Sequence, residues 1–131
     1  MFHKKTPQQV ATVHAFDRMV SAAGWVDENV LLLASEVNLF LYDLNDRIEK
    51  HLIDLEQDKP GNRSNDGRSD PWGGFWIGTM GKNSETEAGA IYRYFKGKLE
   101  QIIPKVTISN SICFSHDKKF CFFCDTATKK I

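Results

Sequence analysis

Arg63 and Asn65 stand two residues apart, and Asn110 stands 45 residues after Asn65. Residues two apart on an extended segment share a face, so a guanidinium fork and a carboxamide would be presented together. Such a pair suits an oxygen-rich ligand, a carboxylate or a polyol. The same residues also have plainer readings. Each asparagine fits a turn that it supports through nearby backbone, and Arg63 fits a solvated loop. Asp66-Gly67 and Asp70-Pro71 read as turn dipeptides rather than as acids. The remaining reactive residues do not cluster. His3, His14, His51 and His116 show no ligand spacing, and Ser109-Asn110-Ser111 offers hydroxyls without a placed base. There is no phosphate loop and no nucleophile elbow. Cys113, Cys121 and Cys124 are odd in number, which argues against a disulfide framework. Cys121 and Cys124 are three apart in a Phe-rich run, so on a strand they point to opposite faces. The expectation for them is buried structural thiols.

The elements that must position these groups are short. The chain has 131 residues, 41% hydrophobic and 26% charged, enough for one domain with a core. Seventeen basic residues balance seventeen acidic ones, which leaves no field for nucleic acid. The longest apolar run, Val30 to Ala34, is far short of the ~20 residues of a membrane helix. Met1 to Met19 has no hydrophobic signal core, and a cytoplasmic location is expected. Gln9 to Phe16 fits helix or strand on pattern alone. Strands are predicted over 30–35, 39–44, 48–55, 75–80, 90–95, 99–106 and 120–125, with another run beginning at Thr107. Glu56 to Asn62 reads as a charged loop, Gly81 to Gly89 as a polar loop, and Lys96-Gly97-Lys98 as a tight turn. Trp25, Trp72, Trp76 and Tyr92 read as packing aromatics, since no basic groove accompanies them.

Turn-plus-strand blocks begin at Asp27, Trp72 and Asp117, a spacing of 45 residues. On that spacing Val30, Phe75 and Phe120 are equivalent, as are Ser35, Met80 and Asp125, and Val20, Asn65 and Asn110. A period of ~40–50 residues with about four short strands is that of a β-propeller blade. Helical repeats of similar length would need a 3.6-residue period, which is absent. The fold expected is all-β, a partial propeller of about two and a half blades in a single domain, 1–131. Its blade-like repeats fall at about 20–64, 65–109 and 110–131. In a propeller the innermost strands line the channel, so Asn65 and Asn110 should point at one axis.

Longer motifs then carry a resemblance. Asn62-Arg63-Ser64-Asn65-Asp66-Gly67-Arg68-x-Asp70-Pro71 is followed by Phe75-Trp76-Ile77-Gly78-Thr79-Met80-Gly81-Lys82 and by Glu87-Ala88-Gly89-Ala90-Ile91-Tyr92-Arg93-Tyr94. With Thr107-Ile108-Ser109-Asn110-Ser111-Ile112-Cys113-Phe114-Ser115, these segments resemble the regucalcin (senescence marker protein)/gluconolactonase family over about residues 20 to 128. The resemblance implies a six-bladed propeller about twice this length. It also implies one divalent metal, calcium or zinc, and hydrolysis of a sugar lactone to its aldonic acid. By resemblance Asn110 matches the metal-ligating asparagine, and Arg63 and Asn65 match substrate-binding residues. The family's metal-binding glutamate has no counterpart, because residues 1–19 contain no glutamate. Its metal-binding aspartate, the general base, belongs to a blade beyond Ile131. A substrate glutamate past Gly-Thr-Met falls by count on Asn83, with Glu85 and Glu87 nearby. The expectation is a piece of a metal-dependent lactonase, inactive or weakly active alone. The alternative is a non-catalytic module completed by self-association or by a complementary fragment. No nucleic-acid or membrane partner is expected.

Overall fold

The computed structural model describes residues 12–129 and 131. The first eleven residues, and with them 9–11 of the ambiguous segment at 9–16, lie outside the described residues, and its remainder, 12–16, forms neither helix nor strand. Among the described residues ten strands form three antiparallel sheets. The first holds β1 (Val20–Trp25), β2 (Val30–Ser35), β3 (Asn38–Asp43) and β4 (Glu49–Asp54), in that spatial order. The second holds β5 (Asn62–Ser69), β6 (Phe75–Gly81), β7 (Gly89–Phe95) and β8 (Lys98–Val106). The third pairs β9 (Ser109–Phe114) with β10 (Cys121–Asp125). The first strands β1, β5 and β9 pack side by side, and each sheet fans out from them. The architecture is all-β, a partial β-propeller. Among the described residues no helix is long and apolar enough to cross a membrane.

The sheets assemble because their facing sides are apolar. Leu32, Ala34 and Leu39 of the first sheet meet Phe75 and Ile77 of the second, with Leu55 from the connecting loop. Ile91 and Val106 of the second sheet meet Ile112 of the third. The run at β2 is apolar on both faces because Leu31 and Leu33 pack the other way, with Phe40 and Tyr42. Each of these buried Leu, Ile, Val and Phe side chains contributes about 1.5–3 kcal/mol. Between β4 and β5 the Glu56 carboxylate takes hydrogen bonds from the Tyr92 hydroxyl (2.6 Å), the Asn62 amide (2.8 Å) and the Lys59 ammonium (2.9 Å). Burial pushes the Tyr92 hydroxyl up, and the Glu56 carboxylate adds to it.

Several sequence expectations need correction. The blade divisions expected at 64/65 and 109/110 fall inside β5 and β9. Backbone pairing places them between Asp54 and Asn62 and between Val106 and Ser109. The equivalence of Val30, Phe75 and Phe120 is off by one in its middle member. The turn bonds Val26 N–H to Val30, Asp70 N–H to Gly74 and Ser115 N–H to Phe120 match Val30 with Gly74 and Phe120. Asp66-Gly67 is no turn, since both residues lie inside β5. Cys121 is exposed and Cys113 and Cys124 are half-buried, because the sheet that carries them has two strands. Trp25 is exposed, whereas Trp76 packs edge-on against Phe114, and so does Trp72 although half its surface is open.

Asp70 behaves as a turn former and more. Its carboxylate is fully buried and accepts from the Trp72 amide (2.9 Å), the Gly74 amide (2.7 Å), the Trp76 indole (3.1 Å) and the Arg93 guanidinium (2.6 Å). Burial works against its ionisation, but Arg93 and the three neutral donors outweigh burial and hold it below the usual carboxylate range. A carboxylate with a lowered folded-state pKa stabilises above its unfolded value and ceases to as pH falls through the folded one. Stability should therefore decline below about pH 4. Asp70→Asn should remove part of that decline, and Asp70→Ala should cost about 2–3 kcal/mol at neutral pH. Chemical denaturation at several pH values checks both.

Candidate functional site

Each inner strand contains one residue more than the strand it pairs with. On β1 the extra residue falls between Val20 and Ala22. On β5 it falls between Ser64 and Gly67, a stretch that holds Asn65 and Asp66. On β9 it falls between Asn110 and Cys113, opposite Phe122 and Cys124, and Ser111 there takes a φ of 61°. A bulge leaves a residue outside the ladder and re-aims its side chain. The side chains at the β1 and β5 bulges cross to the neighbouring inner strand. Ser21 Oγ lies 2.6 Å from Ser64 Oγ. Asn65 Nδ2 donates to the Ser109 carbonyl at 2.9 Å and to Asn110 Oδ1 at 3.2 Å. Asp66 Oδ2 accepts from the Ile112 amide at 3.1 Å. At Gly78 any Cβ would collide with Ser109, so the glycine lets β9 approach β6.

The expected trio is thereby brought together. Arg63 Nη1 donates to Asn65 Oδ1 at 3.0 Å and to its neighbour's carbonyl, Ser64 O, at 2.9 Å. Asn65 donates to Asn110, and Asn110 Nδ2 donates to Thr126 Oγ1 at 2.8 Å. The line has one direction. Arginine can only donate, so Asn65 must offer it oxygen, which leaves the Asn65 nitrogen for Asn110 and the Asn110 nitrogen for Thr126. Arg63, Asn65 and Asn110 are all half-buried. At the Asn110–Thr126 end of the line, between β5 and β9, lies an open groove of about 670 Å³, bordered by Asp66, Arg68, Asn110, Cys113 and Thr126 but not by Arg63 or Asn65. Guanidinium and amide donors beside such a groove can hold and orient hydroxyls and a carboxylate. None of them is a base.

The other named candidates lie in the loop after β6, beside the start of β5, where Asn62 pairs with Gly81 and Arg63 with Met80. In the following loop Glu85 Oε1 accepts from the Asn83 side chain and Oε2 from the Asn83 amide, both at 3.1 Å. Its own amide and these bonds hold its carboxyl below the usual range. The Glu87 amide donates to Thr107 Oγ1 at 3.0 Å. The sequence reading missed Asp66 and Thr126. Asp66 was hidden by a turn dipeptide, and no spacing pattern announces Thr126.

The residues present do not make a metal site by themselves. Calcium takes 6–8 oxygens, and Asn110 brings one carbonyl oxygen already shared with Asn65. Zinc needs three or four nitrogen, sulfur or carboxylate donors. Among the described residues no group of three or more His, Cys, Asp or Glu is gathered for a metal. What the trio can do chemically is bind and orient.

Residues 2–131 match the family described as SMP-30/Gluconolactonase/LRE-like region. A Rhizobium meliloti (strain 1021) protein whose name proposes a sugar lactone lactonase is 40% identical over 119 residues, 91% of this chain and 40% of the relative. The L-arabinolactonase of Azospirillum brasilense is 32% identical over 119 residues, 88% of this chain and 39% of the relative. Among solved structures, a regucalcin from Agrobacterium tumefaciens, described as a calcium-binding protein, superposes with a TM-score of 0.87. It is 45% identical, over 92% of this chain and 41% of its own. The chain thus spans about two fifths of the length of these relatives.

The bond from Asp66 to the buried Ile112 is the cheapest handle on this packing. Asp66→Ala should cost about 1–3 kcal/mol, since the Ile112 amide is left without its acceptor. Asp66→Asn keeps an acceptor oxygen and should retain most of the stability. Urea denaturation of the two variants measures the difference.

Proposed function

The chain belongs to the SMP-30/gluconolactonase/LRE-like family, and from that premise we propose that it carries the substrate-facing part of a sugar lactone hydrolase. The observation that carries this reading is the directed line from Arg63 through Asn65 to Asn110, whose Asn110 end borders an open groove. Opening a lactone converts a cyclic ester into a carboxylate on a polyol. Water adds to the carbonyl carbon, the bond to the ring oxygen breaks, and that oxygen takes up a proton. A guanidinium suits the carboxylate and carboxamides suit the hydroxyls. The Arg63 Nη1 hydrogens are committed to Ser64 and Asn65, and the fork has five in all.

Hydrolysis also needs a group that activates water. The regucalcin neighbour is described as calcium-binding, and a bound divalent metal is able to supply that activation. Arg63, Asn65 and Asn110 do not supply it, and Asn110 would be one ligand of such an ion. The reaction therefore belongs to a completed ring, to which this chain contributes recognition.

The purified chain should not raise the hydrolysis of D-glucono-1,5-lactone above the buffer rate, with or without calcium or zinc. It should bind D-gluconate weakly in a ligand-observed NMR titration, and Arg63→Ala should abolish that binding. Metal-dependent turnover that Asn110→Ala removes would overturn the division of labour. Gluconate binding that Arg63→Ala leaves intact would overturn the site.

A further inference from the structure

Thr126 stands at the far end of the Arg63–Asn65–Asn110 line, and nothing so far gives it a task. Its Oγ1 accepts the Asn110 Nδ2 hydrogen at 2.8 Å. Its own backbone is held, because its amide donates to the Ile108 carbonyl at 3.0 Å. The preceding residue fixes the same corner. Asp125 Oδ2 accepts from the Thr107 amide at 2.9 Å, and Asp125 Oδ1 accepts from the Ile108 amide at 3.0 Å and the Ala127 amide at 3.2 Å. The end of β10 is thereby clamped to the start of β9, and Thr126 borders the groove.

The Asn110 amide is gripped at both ends. Asn65 donates to its oxygen, and Thr126 accepts from its nitrogen. Asn110, paired with Cys124, is the last ladder residue before the β9 bulge, next to Ser111 with its positive φ, where the strand changes direction. From these contacts we infer that Thr126 is a positioning residue: it holds the Asn110 carboxamide with its oxygen toward Asn65 and the groove. The hydroxyl accepts in this role, which leaves its own proton to donate onward to a bound oxygen. Removing the hydroxyl leaves the carboxamide held by Asn65 alone, at one end instead of two. The inference rests on the proposed sugar-acid site for its functional meaning, but its structural content stands apart from it.

Two variants of the full chain, ¹⁵N-labelled, test it. Thr126→Val keeps the shape and removes the acceptor; Thr126→Ser keeps the acceptor. The side-chain amide resonances of Asn110 are followed, and D-gluconate is titrated as the probe. Thr126→Val should abolish the hydrogen-bonded position of the Asn110 amide proton while the backbone spectrum stays dispersed, and Thr126→Ser should restore it. Gluconate affinity should fall about 2- to 10-fold in the valine variant, the effect of one ordinary hydrogen bond, and recover in the serine variant. An Asn110 amide signal unchanged by Thr126→Val would overturn the inference. If that signal responds as expected but the unmodified chain binds no gluconate, the positioning role stands and the sugar-acid reading fails.

Discussion

A strand with one residue more than its partner cannot keep its side chains in step on both sides of the extra residue. That constraint governs the inner face of this chain. The bulges on β1, β5 and β9 recur at corresponding places, and the side chains that reach across inner strands start at or beside them. At β1 the crossing group is a serine hydroxyl, at β5 a carboxamide and a carboxylate. A regular β5 would leave Asn65 in the ladder, without its present reach to Ser109 and Asn110. The sheets beneath supply what the bulges need, a rigid apolar packing on both sides of β6.

The line that results is ordered by chemistry rather than by size. Arg63 offers only hydrogens, so every amide after it is oriented head to tail. Hydrogen bonds aligned in this way polarise one another. Preorganised donors of this kind are what a binding site needs, because little reorganisation is left to occur when a ligand arrives. The same residues contain no acid–base group, which is why recognition and hydrolysis separate in this account.

Much of this was legible in the residues. The 45-residue spacing put Asn65 and Asn110 in corresponding positions, and Arg63 two residues earlier put a fork beside them; the hydrogen bonds join the three. The strand class was legible because aromatic and β-branched runs alternate with turn signals. The pairing register was not. The first two turns close from residue i to i+4 and the third to i+5, so an ungapped 45-residue match set Phe75 where the backbone places Gly74. Asp66-Gly67 has the composition of a turn, yet pairing with β6 and the bond to Ile112 keep it in a strand. Thr126 lies 16 residues from Asn110, and only the pairing of β9 with β10 brings them together. The thiols looked buried by their Phe-rich neighbours, but Phe120 and Phe122 are themselves exposed on a two-stranded sheet.

The central claim is that Asn65 and Asn110, on two different sheets, act as one unit. A double-mutant cycle on unfolding free energy, with Asn65→Ala, Asn110→Ala and the combined variant, tests this most directly. A shared bond predicts that the double variant loses less than the sum of the singles, by about 0.5–1.5 kcal/mol. Additivity to within about 0.3 kcal/mol would mean that the two asparagines are independent, and would contradict the account.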